Sequence, residues 1–160
     1  MKFIYHCFGG SHSSVTASAI HAGILPEERL ATSFELLSIP YFDSQISLDH
    51  GRIRFVGWDE KGAEIYLASK RGLGKDYERI MSHILRLADN SSDHEQIVFI
   101  NTMPVVNLFM VIGGYLSRRL GSCILGRTIV AYGTRQAYHK FVLLVRQVKE
   151  TYHSSAEVIP

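Results

Sequence analysis

The sequence is poor in the features that tie a chain to an oxidising compartment, a membrane or a polyanion. Its 160 residues include only two cysteines. Cys7 and Cys123 lie far apart, without the paired spacing of a disulfide scaffold or a cysteine zinc site, so reduced thiols and a cytoplasmic location are expected. No basic segment followed by an apolar stretch opens the chain, and the apolar run from Val105 to Ile112 is far shorter than the roughly 20 residues needed to span a bilayer. Neither secretion nor membrane insertion is expected. Seventeen Lys and Arg against fifteen Asp and Glu leave a net charge of +2. With no aromatic-basic repeat, that bias argues against a nucleic-acid partner. The phosphate-loop pattern GxxxxGK[ST] and the dinucleotide pattern GxGxxG are both missing, which removes the sequence basis for a nicotinamide cofactor and deprives any triphosphatase reading of its lysine.

What is present is hydrophobic material for a core, 46% of the chain, enough for one domain over residues 1–160. Residues 2–7 form an apolar strand, Gly9-Gly10 a sharp turn, and Ser13 to Ala22 a helix that Ser13 or Ser14 could cap. Gly23 and Pro26 stop that helix. Glu27 to Leu37 is expected to be helical, with Thr32 or Ser33 as an internal start and Pro40 as its close. Residues 52–58 and 63–68 flank Asp59-Glu60-Lys61-Gly62 as a hairpin, which makes Asp59 a turn residue before it is a catalyst. Lys75 to Ala88 follows the helical period, ended by Asn90 to Asp93, and Gln96 to Ile100 is the continuous apolar run of a central strand. Thr102 is placed to cap a helix with Pro104 in its first turn that runs to Leu120 before Gly121. In that helix Gly113-Gly114 suggests close helix-to-sheet packing or, as an alternative, the approach of a ligand to the backbone. Thr128 to Tyr132 predicts another interior strand leaving at Gly133-Thr134, and Arg135 to Tyr152 a final helix with Phe141, Leu144, Val145 and Val148 on one face.

Three strands each leading into a helix imply a three-layer α/β domain with a mostly parallel sheet, an antiparallel hairpin at its edge and a P-loop-like first strand-turn-helix. The carboxyl ends of the parallel strands would gather Gly9 to Ser14, Asn101-Thr102 and Gly133-Thr134 around one crevice. There the backbone of Gly9, Gly10, Ser11, Ser13 and Ser14 would hold an anion, with Asn101 and Thr102 beside it, because N–H groups at a helix start favour negative charge. Lys70, Arg71 and Lys75 on one connection, and Arg118, Arg119 and Arg127 on another, are the cations that could form a rim. Ser13 and Ser14 could also hold magnesium on a bound nucleotide. His12 is the candidate acid or base, with ligand binding and a local structural role as alternatives; a serine nucleophile beside it would need an orienting carboxylate. Cys7 precedes a phosphate-like loop, but position 13 is serine and no arginine closes the loop, so Cys7 is expected to be a buried small hydrophobe. His6 with Cys7 and His12 lacks the spacing of a metal site, and His6 is expected to be a satisfied polar side chain on a strand.

The segments Tyr5 to Ser14, Leu36 to Asp43, Asn101 to Leu108 and Gly113 to Gly121, taken in order, resemble the DUF3189 family, a domain of unknown function in spore-forming Bacillus and Clostridium relatives of the Firmicutes. The likeness spans nearly the whole chain and implies one complete domain; it carries no reaction to transfer. The residues themselves favour an enzyme acting on a phosphorylated small molecule or nucleotide, by phosphoryl chemistry. The alternative is a non-enzymatic protein that senses a metabolite or docks a partner through the same crevice. A homodimer is expected through an apolar edge at Tyr41-Phe42 and Trp58, unless residues 27–37 cover that edge within one chain.

Overall fold

The computed structural model describes residues 1–46, 49–88, 96–119 and 123–153. It is an α/β fold whose four-stranded sheet has the order β2-β3-β1-β4, with β1 at Lys2–Cys7, β2 at Arg54–Trp58, β3 at Glu64–Ser69 and β4 at Ile97–Asn101. β1 is central and parallel to both β3 and β4, while β2 and β3 form the expected antiparallel edge hairpin, with a register shift between Phe55 and Gly57. Alternation along β1 sends Phe3 and Tyr5 into the large core with α1 (Ser13–His21) and α5 (Cys123–His153). Ile4 joins the smaller cluster with Tyr77, Met81 and Leu85 of α3 (Tyr77–Ala88). This two-residue period is what a strand covered by helices requires.

The helices depart from expectation at several points. Residues 27–37 are not one helix; α2 covers only Ser33–Ser38, started by a capping box in which Thr32 Oγ1 accepts from the Glu35 backbone while the Glu35 carboxylate accepts from the Thr32 N–H. The helix expected from Lys75 starts at Tyr77, after a 3-10 segment over Arg71–Asp76. Beyond β4, Thr102 does not cap a helix with its side chain: Met103–Val105 is one 3-10 turn, and α4 spans Leu108–Arg119. Asn107 starts α4 instead, its Oδ1 accepting the Met110 N–H at 3.0 Å. Asn90 to Asp93 and Gly121 lie outside the described residues.

The largest correction concerns Thr128 to Tyr132, which is not a strand but the interior of the 31-residue helix α5, so Gly133-Thr134 marks no strand exit and Arg127 lies inside that helix. The β-branched run resembles a strand locally. Its burial does not: Val130, Thr134, Phe141 and Val145 are all fully buried, a spacing that continues the helical face expected only from residue 135 onward. Tertiary packing has overridden local propensity.

α4 lies against α5 at backbone distance because three glycines permit it. A Cβ on Gly113 would come within 2.6 Å of Val130 Cγ2, one on Gly126 within 2.6 Å of Ser117 Cα, and one on Gly133 within 2.7 Å of Phe109 Cβ. Gly113 is thus a close-packing glycine, but against helix α5 rather than against the sheet as expected. Gly126→Ala is expected to destabilise the fold by about 2 kcal/mol, the overpacking penalty less the better helix propensity of alanine, measured by urea unfolding. A variant as stable as the parent would mean that α4 moves away without cost.

Among the described residues no helix is long and apolar enough to cross a membrane. Of the apolar edge expected to promote dimerisation, Trp58 is exposed, but Phe42 is buried and Leu36 of α2 reaches the main core.

Candidate functional site

The carboxyl ends of β1 and β3 and the turn after β4 frame a cleft of about 440 Å³, of the size that holds small molecules. Its lining combines polar groups at Cys7, Gly9, Ser11, His12, Ser13 and Arg71 with apolar ones from Phe8, Met103, Val106 and α4. The loop between β1 and α1 is held in place from below. Gly10 takes φ +65°, where a side chain would be strained, and a Cβ there would meet Ser69 Cβ at 3.1 Å and the Ala68 carbonyl at 3.2 Å. The Gln45 amide donates to the Gly10 carbonyl.

Cys7 closes the strand at the floor of this cleft. It is buried, as expected, but its sulfur does not sit among carbon atoms. The Gly10 N–H donates to it at 3.0 Å, and Ser14 Oγ lies 3.3 Å away. Burial pushes the thiol up, but hydrogen bonds from the Ser14 and Ser13 hydroxyls and from the Ser14 and Gly10 backbone outweigh it and hold Cys7 below the ordinary thiol value. The two serines singled out as nucleophiles or magnesium ligands are thus turned toward the sulfur. Ser13 Oγ also lies 3.0 Å from Thr102 Oγ1, which donates to the His6 carbonyl at 3.1 Å.

His12 is the residue before α1 and gives the helix no side-chain cap, nor do Ser13 or Ser14. Its Nε2 donates to Asp43 Oδ1 at 2.9 Å, and Ser117 Oγ donates to Asp43 Oδ2 at 2.6 Å. Asp43 is 1% exposed at its side chain and adopts φ +51°, in a loop whose Tyr41 is also left-handed. Its N–H is tied to the Ser11 carbonyl at 3.0 Å. The carboxylate fixes the imidazole tautomer with its lone pair on Nδ1, and Phe42 meets the ring edge-on at 5.5 Å. Gly114 gives the ring its space: a Cβ there would stand 3.2 Å from His12 Cε1. Of the two adjacent glycines, one therefore serves the helix crossing and the other serves His12.

The other expected residues fall in several places. Gly9, Ser11, His12 and Ser13 line the cleft; Gly10, Ser14 and Thr102 sit behind it. Asn101 does not line it, because its Oδ1 accepts the Met103 N–H at 3.1 Å and lies 3.4 Å from Lys70 Nζ. Lys75 is exposed in the 3-10 segment and is not part of the lining. Arg118 and Arg119 end α4, but their side chains lie outside the described residues. Gly133-Thr134 belongs to the α4–α5 contact, with Asn107 Nδ2 donating to the Gly133 carbonyl at 2.7 Å. The cation on the rim is Arg71, whose guanidinium lies 5.5 Å from the centre of the Phe8 ring and whose N–H donates to the Phe8 carbonyl.

Asp43 and Ser117 were not expected as site residues, and neither carries a local signal: each lies far along the chain from His12. Away from the cleft, Asp59 accepts from the Lys61 and Ala63 N–H groups as turn chemistry requires, and its second oxygen lies 3.3 Å from buried His21 Nε2. His6 is paired with Glu78 at 2.8 Å; burial lowers its imidazole below the ordinary value against the opposing pull of that carboxylate. Among the described residues no group of three or more His, Cys, Asp or Glu side chains could hold a metal ion.

No curated protein and no solved structure is significantly similar to the chain. A family model described as a protein of unknown function, DUF3189, matches residues 2–150, and the chain belongs to that family.

Proposed function

We propose that the protein is an enzyme that hydrolyses a phosphate monoester, with the first strand-turn-helix acting as a P-loop-like anion cradle in a three-layer domain. The observation that carries this reading is that Cys7, held toward its thiolate by the N-terminal turn of α1, shares one cleft with His12 and its buried carboxylate. A thiolate is the strong nucleophile that neutral serine is not.

In this mechanism the Cys7 sulfur attacks phosphorus, an S–P bond forms, and the P–O bond to the alcohol breaks. Protonated His12 supplies the proton to the departing oxygen. Water then attacks the thiophosphate, giving its proton to His12, and the S–P bond breaks to return the thiolate and release inorganic phosphate. Arg71 and the loop N–H groups neutralise the phosphoryl oxygens, and Asp43 keeps the imidazole oriented through both steps. The serine hydroxyls are engaged with Cys7 and Thr102. That favours direct hydrolysis over a nucleotide carried with magnesium.

The reading is tested by phosphate release from a panel of monoesters, together with iodoacetamide labelling of Cys7 followed by mass spectrometry across pH. Because hydrogen bonding lowers the Cys7 value, labelling should reach half its maximal rate below the ~8.5 of a free thiol, and inorganic phosphate should slow it. A labelling midpoint at or above the free-thiol value, without phosphate protection, would remove the nucleophile from this scheme. A metabolite sensor would instead bind phosphate and release none from any ester.

A further inference from the structure

The lining of the cleft divides by chemistry, and the mechanism uses only its polar part. Met103, Val106, Met110, Val111 and Tyr115 make the apolar side, where Met103 Sδ accepts the Phe8 N–H at 3.3 Å. Among the described lining residues on that side, the Tyr115 hydroxyl is the one oxygen or nitrogen a side chain offers. Phe8 closes the loop side of the rim and is 53% exposed; Val111 is 57% and Tyr115 52% exposed. Phe8, Val111 and Tyr115 are not consumed by the core, whereas Met110 belongs to it and Val106 packs against it, and all five line a single cavity with the polar loop.

From this we infer that the substrate is an aryl phosphate, its phosphate at the loop and its aromatic ring against the α4 wall, an assignment that rests on the phosphate-monoester reading above. A sugar or nucleoside in that position would press several hydroxyls against valine and methionine side chains and leave them without partners. A flat ring instead gains apolar contact with Val111, edge-on partners in Phe8 and Tyr115, and the polarisable sulfur of Met103. The ring of a phenol also suits the chemistry, because a phenolate leaves phosphorus more readily than an alkoxide does. Arg71 already lies on the Phe8 ring. The phosphate of an ester bound this way would meet the cation at the same edge where its ring meets the aromatic.

The test compares kcat/KM of the full chain for phenyl phosphate and ribose 5-phosphate, with inorganic phosphate as a competing ligand. Phenyl phosphate is expected to be preferred by at least about tenfold, the scale on which an apolar pocket discriminates. Val111→Asn, an exposed position that tolerates polarity, should narrow that preference by about threefold. Equal turnover of the two esters, or preference for the sugar phosphate, overturns the aryl assignment and leaves the enzyme reading standing. Failure of both esters to react, with inorganic phosphate also failing to bind, overturns the enzyme reading and this assignment together.

Discussion

Cys7→Ser is expected to reduce phosphate-ester turnover by about a thousandfold or more while the protein stays folded. The donors around position 7 lower the thiol below its ordinary value, the direction that favours a thiolate. They are insufficient to ionise a serine hydroxyl, whose proton is far more tightly held. Serine is smaller than cysteine and can keep the contacts with Gly10 N–H and Ser14, so circular dichroism and thermal unfolding should change little. The measurement is steady-state turnover on the preferred ester, with a folding control on the same sample. Undiminished activity in the folded variant would show that the sulfur is not the nucleophile. Asp43→Asn offers a separate check on the acid-base arm, because a neutral amide could turn His12 toward the wrong tautomer without touching the sulfur.

The second large effect concerns stability and lies behind the sheet. His21 and the Asp59 side chain are both 0% exposed, and Tyr5 Oη stands 2.8 Å from His21 Nδ1. Burial, followed by the charges of Glu27 and Asp59, pushes the Tyr5 phenol well above its ordinary value, so it is a neutral hydrogen-bonding group at any working pH. Removing one partner of such a buried set leaves the others desolvated and unpaired. Asp59→Ala should therefore cost about 3–5 kcal/mol, and a drop in Tm of roughly 10 °C is the expected readout. Part of this loss comes from the turn, where Asp59 Oδ1 holds the Lys61 and Ala63 N–H groups at 2.9 and 2.8 Å. Asp59→Asn separates the two contributions, since its carbonyl can serve the turn while its charge is gone. If both variants unfold at the parental temperature, the His21–Asp59 contact contributes nothing net.

Local chemistry explains why some of this was legible in the sequence and some was not. The run from Met1 through Ser14 specified its strand, its glycine turn and its helix, because each depends on neighbours within a few residues: a short apolar run for β1, which is buried on both faces, a positive φ at Gly10, small residues in the first turn of α1. The hairpin around Asp59 was readable for the same reason, as was a helix start at Thr32 or Ser33, of which the structure selects Thr32 as the cap. Thr128 to Tyr132 misled because β-branched residues favour a strand when seen alone, whereas Gly126 and Gly133 draw this segment against α4 as a helix. His12 stood out as a candidate from its place in the loop. Its carboxylate did not, since Asp43 reaches it only through a loop of left-handed residues and is steadied by Ser117 from another helix.

The sequence by itself determined the α/β character, the mostly parallel sheet and the glycine turn between the first strand and the first helix, all consequences of short-range pattern and backbone conformation. The tertiary structure alone decided that Ser13 and Ser14 turn toward Cys7 rather than a ligand, that Arg71 supplies the rim cation, and that Asp43 completes His12. The Arg71 and Asp43 assignments depend on groups brought together by sheet order and by the packing of α4, whereas Ser13 and Ser14 lie within seven residues of Cys7 and meet it through the fold of the β1–α1 turn. No spacing along one strand or helix encodes the first two, because Arg71 meets Phe8, and Asp43 meets His12 and Ser117, across elements far apart in sequence.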